Sequence, residues 1–151
     1  MRCLPLVLLV ALSGCAAAAQ TRNSDHDLAL VHVGGEEAVF VDMAHVQNPG
    51  KIAGFHILVV AKTGQPPVPG WRQMVIDCND NEFTTLATSD VSDDGSVGPA
   101  KTLNANAYPV LGGRPEEAMA AAVCDKINLP VRAATIAEAT KIGRARLAAA
   151  K

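Results

Sequence analysis

The sequence is poor in aromatic and charged residues. It contains three Phe, one Tyr and one Trp, and Lys, Arg, Asp and Glu together make up 19% of its 151 residues. A core must therefore be built mainly from Val, Ile, Leu and Ala. The formal net charge is −2, and a chain with no excess of positive charge lacks the electrostatic footprint of a nucleic-acid-binding protein. We predict no nucleic-acid partner.

Motifs that carry catalysis or bind cofactors are also missing. There is no G-x-S-x-G, no phosphate-binding loop, no C-x-x-C and no H-x-x-x-H. Four histidines are scattered along the chain, and we interpret them as strand-surface or hydrogen-bonded residues rather than zinc ligands: His26, His32, His45 and His56. Asp90, Asp93 and Asp94 precede Gly95 without the spacing of a calcium loop, which favours an acidic hairpin turn. We predict no catalytic residue, no metal, no cofactor and no enzymatic activity.

The N-terminus has the layout of a secretory signal. Arg2 precedes an apolar run from Leu4 to Leu12, which as a helix covers roughly 14 Å of a ~30 Å hydrocarbon core, too little for a membrane span. The following Leu12-Ser13-Gly14-Cys15 resembles the lipobox of bacterial lipoproteins. The resemblance implies that residues 1–14 are removed and that Cys15 carries a diacylglyceryl thioether and an acylated amino terminus, with palmitate as one acyl chain.

A lipid on Cys15 makes the membrane the first expected partner. Two or more acyl chains form a stable anchor, and Ala16, rather than Asp, follows the cysteine, which favours the outer membrane under the usual sorting rule. The alternative is an ordinary signal cut near Ala18 or Ala19, which would remove Cys15. Whether the protein faces the periplasm or the cell surface stays open.

Only Cys78 and Cys124 remain once Cys3 leaves with the signal and Cys15 carries lipid. In an oxidising compartment such a pair is most simply a disulfide. A metal site would need more ligands nearby. A reactive thiol would need positive neighbours, whereas Cys78 stands between Asp77 and Asp80.

The sequence pattern predicts an α+β fold, with an antiparallel β-sheet meander of about five or six strands. Residues 16–27 lack apolar periodicity and read as part of a lipidated tether, 15–27. Five runs end at turn residues and read as strands: 28–33, 38–46, 52–63, 71–78 and 82–91. The run 52–62 is apolar on both faces, which is typical of a central strand. Residues 92–113 read as a long loop with a short strand near 101–103.

Two helices are predicted after this sheet. The first begins at Pro115, and Met119, Val123 and Ile127 recur on one of its faces. This helix should pack on one face of the sheet, with Cys124 stapling it to Cys78. The second begins at Thr135 with a capping box to Glu138. It is rich in alanine, and we expect it to be loosely docked or to form an extension, 128–151.

Residues 38–125 resemble the surface-adhesin protein E family of Gram-negative lipoproteins and periplasmic proteins. The shared features are Val39-Phe40-Val41-Asp42, a long central strand, a strand ending in Asp77-Cys78, Tyr108 before a turn, and a short helix ending in Val123-Cys124. The Trp residues that are frequent in the family's central strand and before its last helix are replaced here. The resemblance implies the fold, with a domain over 28–127, and suggests adhesin-like binding.

Two interpretations of function follow. The first is a non-enzymatic outer-membrane lipoprotein with a small disulfide-stapled binding domain, whose partner is a host-matrix or envelope protein. The alternative is a periplasm-facing accessory protein, such as a lysozyme-inhibitor-like lipoprotein. Trp71, after the Pro-rich segment 64–70, is a possible binding anchor, although such a residue often packs at a sheet edge.

Overall fold

The computed structural model describes residues 26–62 and 70–150. The predicted signal peptide, Cys15, the tether up to residue 25 and nearly all of the Pro-rich segment lie outside the described residues.

The described residues form one antiparallel sheet with two α-helices, which confirms the predicted α+β class. The strands are β1 (Leu28–Val33), β2 (Glu37–Asp42), β3 (Ile52–Ala61), β4 (Gly70–Asp77), β5 (Glu82–Asp90), β6 (Lys101–Thr102), β7 (Tyr108–Pro109) and β8 (Arg132–Ala133). Their order in the sheet is β6-β5-β4-β3-β2-β1-β8, and β7 pairs with β5 outside this path.

The five predicted strands correspond to the five longest strands. The second was predicted over 38–46, but it ends at Asp42 because residues 43–45 form a 3-10 helix. Each remaining strand has two residues, which is too few to show a periodicity, and of these only β6 lies where a short strand was predicted.

A helix covers each face of the sheet, and β3 lies at its centre. Alternate residues of a strand point to opposite faces, so β3 contributes Phe55, Ile57 and Val59 to one core and Leu58 and Val60 to the other. Helix α1 (Pro115–Cys124) packs on the first core and helix α2 (Ile136–Ala149) on the second. The prediction that β3 is central is confirmed, but helices cover both of its faces rather than one.

The predicted helix starts are confirmed. Pro115 is the first residue of α1. At α2 the Thr135 hydroxyl accepts a hydrogen bond from the Glu138 N–H at 3.1 Å, and the Glu138 carboxylate accepts one from the Ala134 N–H at 2.9 Å. The predicted apolar face of α1 included Ile127, which lies three positions beyond the last residue of the helix. The helix ends at Cys124, which leaves Ile127 with 42% of its surface exposed.

The C-terminal segment belongs to the folded unit, so the prediction that α2 is loosely docked or an extension is wrong. Leu147 is 1% exposed and Ala139 is fully buried. A Cβ atom on Gly143 would lie 3.0 Å from the Cβ of Val60, which shows how closely α2 approaches β3. Small residues permit this approach. An alanine-rich helix can therefore be tightly packed although its sequence shows little amphipathic contrast.

The disulfide between Cys78 and Cys124 is present, as predicted. Cys78 directly follows β4, and Cys124 is the last residue of α1. Their Cα atoms are 5.8 Å apart. The crosslink therefore ties the C-terminal end of α1 to the C-terminal end of β4, which pairs with the central strand β3.

Candidate functional site

A cluster of three histidines, an aspartate and the tryptophan lies on the sheet face that α2 packs on. Residues Ala38 and Phe40 of β2 point into the α2 core, and the same alternation continues to Asp42 at the end of the strand. Asp42 pairs with Leu28 of β1. On its other side, Val41 pairs with Ile57 of β3, so the next position places His56 beside Asp42. The cluster thus stands where this core meets the end of the sheet.

His26 and His45 both donate to a single oxygen of Asp42. The Nδ1 atom of His26 is 2.6 Å from Asp42 Oδ2, and that of His45 is 2.8 Å from the same oxygen. The other oxygen, Oδ1, accepts the backbone N–H of Asp27 at 3.3 Å. His45 ends a single-turn 3-10 helix, Met43–His45. Because such a helix has three residues per turn, residues 42 and 45 lie on one side.

The carboxylate of Asp42 is fully buried, whereas His26 has 15% and His45 has 45% of its side chain exposed. Burial by itself raises the pKa of Asp42. The hydrogen bonds from His26, His45 and the Asp27 N–H together outweigh that effect, so the pKa lies below its usual value. Asp42 is therefore an ionised acceptor at neutral pH, and both rings donate to it.

Trp71 is held between two imidazole rings. The ring of His56 stacks on it with centroids 5.3 Å apart and an interplanar angle of 13°, and His26 meets it edge-on at 5.3 Å. Trp71 is half-buried and also packs against the α2 core. Burial lowers the pKa of His56, which outweighs the opposite effect of the Asp42 charge. His56 is therefore neutral at pH 7.

A shallow hollow of about 230 Å³ adjoins the cluster. Its lining includes His45, His56 and Gln73, and Ile52 and Leu86 supply exposed apolar surface. The hollow offers hydrogen-bonding groups and apolar area together, which is the usual composition of a binding surface.

The backbone around His26 is anchored by the C-terminal segment. The His26 N–H donates to the Ala134 carbonyl at 3.2 Å, and the Leu30 N–H donates to the Val131 carbonyl at 3.0 Å. Arg132 also forms an ion pair with Asp27 at 2.7 Å. The last two residues of the predicted tether, His26 and Asp27, are thus part of the fold, and the C-terminal segment positions one member of the cluster.

The structure brings together residues that sequence reasoning kept apart. His26 and His45 are hydrogen-bonded, as the sequence analysis interpreted them, but they converge on Asp42 with one potential ligand atom each, and the sequence did not indicate this clustering. The signal that could have revealed the site is Asp42 itself, an acid inside the predicted strand 38–46, because the observed strand ends at Asp42 and the 3-10 helix Met43–His45 follows. Trp71 packs as a sheet residue would, and its role as an anchor stays a prediction. His32 lies in β1 apart from the cluster.

The acidic stretch after β5 forms the turn that was predicted. The Asp94 carboxylate accepts hydrogen bonds from the N–H and the hydroxyl of Ser96, at 2.9 and 2.6 Å. These bonds lower the pKa of Asp94. Asp93 pairs with Arg144 of α2. The acids of this turn are thus used in local hydrogen bonds and in contact with a helix.

Comparison with known proteins gives no match to any family model, curated protein or solved structure. Within residues 26–62 and 70–150, no helix is both long enough and apolar enough to cross a membrane.

Proposed function

We propose that the protein is a non-enzymatic, lipid-anchored binding module of the bacterial outer membrane. The observation that supports this best is the disulfide between Cys78 and Cys124. Disulfides form and persist in oxidising compartments, which agrees with export directed by residues 1–14. Cys15 then stands at the position that a lipobox gives to the lipidated cysteine.

The absence of catalysis is part of the proposal. The two cysteines outside the N-terminal segment are joined to each other, so neither is a free nucleophile. His26 and His45 both donate to a buried carboxylate. A structural role, in which these hydrogen bonds hold the side chains in place, accounts for this arrangement without a substrate. The likeness of residues 38–125 to the surface-adhesin protein E family further favours binding.

The sheet face around the hollow is the binding surface that fits this role. It combines the half-buried Trp71 with the exposed Gln73 and Leu86. Aromatic anchors with a polar surround are typical of sites that bind proteins. A host-matrix or envelope protein is the class of partner that we propose.

The anchor is tested by fractionating cells that make the full-length protein and incorporate labelled palmitate. We expect the protein in the outer membrane with label on it, and a soluble, unlabelled product from Cys15→Ala. Cys3→Ala is the matched control, because Cys3 lies in the segment that is removed. Label and membrane association that survive Cys15→Ala would contradict the proposal.

Orientation is then tested by protease treatment of intact cells, with a periplasmic protein as a protected control. Cleavage of the domain indicates a surface-facing module, and host-matrix ligands should be screened next. Protection until the outer membrane is breached rules out the adhesin and favours the periplasm-facing accessory protein.

A further inference from the structure

We propose that His26, Asp42 and His45 form a binding site for a divalent transition-metal ion, with Zn²⁺ as the expected occupant. Each of the three residues offers one ligand atom, and these atoms all lie within 4.8 Å of one another. The inference goes beyond the proposed function and does not rest on it, because it depends only on the geometry of the folded domain.

The three ligands are of the kind that such ions select. Imidazole nitrogens bind Zn²⁺, Cu²⁺ and Ni²⁺ well, and a carboxylate commonly completes a zinc site with histidines. Ca²⁺ and Mg²⁺ prefer sites built from oxygen. Two nitrogens and one buried oxygen therefore discriminate against the hard cations.

Small movements would turn the hydrogen-bonded arrangement into a metal site. Ligand atoms about 2.0–2.1 Å from a tetrahedral ion are roughly 3.3 Å apart, whereas the two Nδ1 atoms lie 2.6 and 2.8 Å from Asp42 Oδ2. An opening of roughly 0.5–0.7 Å is thus required, and each ring must carry its proton on Nε2 so that Nδ1 can bind the ion. His45 is exposed on a single-turn helix, so its ring can supply much of this movement.

The surroundings already orient the ligands. The Asp27 N–H holds the second oxygen of Asp42, and the ring of His26 packs edge-on against Trp71 at 5.3 Å and against His45 at 5.6 Å. A hydrogen bond such as that from Asp27 to Asp42 fixes the orientation of a ligand, and losing one typically weakens metal binding by roughly 10–100-fold. Three protein ligands leave a coordination position for water or for a group of a partner. The exposed side of His45 borders the hollow where such a group would enter.

The test uses the full chain as the cell processes it, purified in mild detergent, without a histidine tag and stripped with a chelator. Titration with ZnSO₄ should show one Zn²⁺ per chain, and CaCl₂ should show none. His45→Gln should weaken Zn²⁺ binding at least tenfold, because losing a ligand should cost no less than losing a group that only orients one. His32→Gln is the matched control, because His32 is a strand histidine outside the cluster.

Two further measurements keep the test decisive. Co²⁺ bound in place of Zn²⁺ should give visible absorption bands that disappear in His45→Gln. Asp42→Asn should also abolish binding, but its buried position makes misfolding an expected side effect, so His45→Gln, checked by circular dichroism, carries the conclusion. No stoichiometric Zn²⁺ binding, or binding that is equal in His45→Gln and the wild type, would overturn the proposal and leave a purely hydrogen-bonded triad.

Discussion

Replacing Gly95 by alanine tests how closely the acidic turn approaches α2. Gly95 has a φ of +85°, a conformation that costs an L-residue about 1–2 kcal/mol. An added Cβ would also lie 2.6 Å from the backbone nitrogen of Ala137. This neighbour is backbone and cannot rotate away, so α2 or the turn must shift. Forced overpacking of this kind costs about 1–3 kcal/mol more.

Two other glycines separate these two effects. Gly113 also has a positive φ, +74°, but has nothing within 4 Å of its would-be Cβ, so Gly113→Ala should show the backbone cost alone. Gly35 has open space and no positive φ, and Gly35→Ala should change stability by less than about 0.5 kcal/mol.

The free energies of unfolding are measured in urea by circular dichroism and by the fluorescence of the single tryptophan, Trp71. We expect Gly95→Ala to be less stable than Gly113→Ala by about 1–3 kcal/mol, with an unchanged dependence on urea concentration. Equal stabilities for the two variants would refute the close contact between the turn and α2.

Three other predictions concern the crosslink, the helix cap and a half-buried histidine. Replacing Cys78 and Cys124 together by serine removes a crosslink between residues 46 positions apart and should lower the unfolding free energy by about 4 kcal/mol in the chain-entropy model; a loss under 1 kcal/mol in urea would contradict this. Thr135→Ala should lose about 1 kcal/mol at the start of α2, and Thr135→Ser should recover most of it in the same assay. Burial lowers the pKa of His56 in the folded protein. As the pH falls, the imidazole is therefore protonated in the unfolded chain before it is protonated in the folded one. The free energy of unfolding should decrease as the pH drops below about 6.5 and level off below the pKa of His56 in the folded state. Urea titrations in the presence of a chelator should show a shallower fall for His56→Gln, and identical profiles would count against this reasoning.

Local patterns were enough to predict the sheet and the helix starts. The strand β3 carries apolar residues on both faces, and Pro115 and Thr135 mark helix starts through preferences that act within one turn. The docking of α2 was missed for a different reason. Its contact with β3 depends on Gly143 having no side chain beside Val60, and a close approach of that kind leaves no periodic apolar signal.

The candidate site was missed because no single segment contains it. His26 precedes β1, Asp42 ends β2, and His45 follows within one short turn. The register of β1 with β2 places Leu28 opposite Asp42, and only this pairing carries His26 to the carboxylate. Ligand spacing along the chain cannot reveal a site whose members are joined by strand pairing.

The same pairing explains why the ends of the chain matter to the site. His26 is held by backbone hydrogen bonding to Ala134, and β8 extends the sheet beside β1. The C-terminal segment, which was predicted to be an extension, thus fixes the position of His26. The strand β2 and the short 3-10 helix fix the positions of Asp42 and His45. Any ligand that binds between His26 and His45 would therefore tie the residues before β1 to those after β2 and stabilise the folded domain through its preferential binding to the folded state.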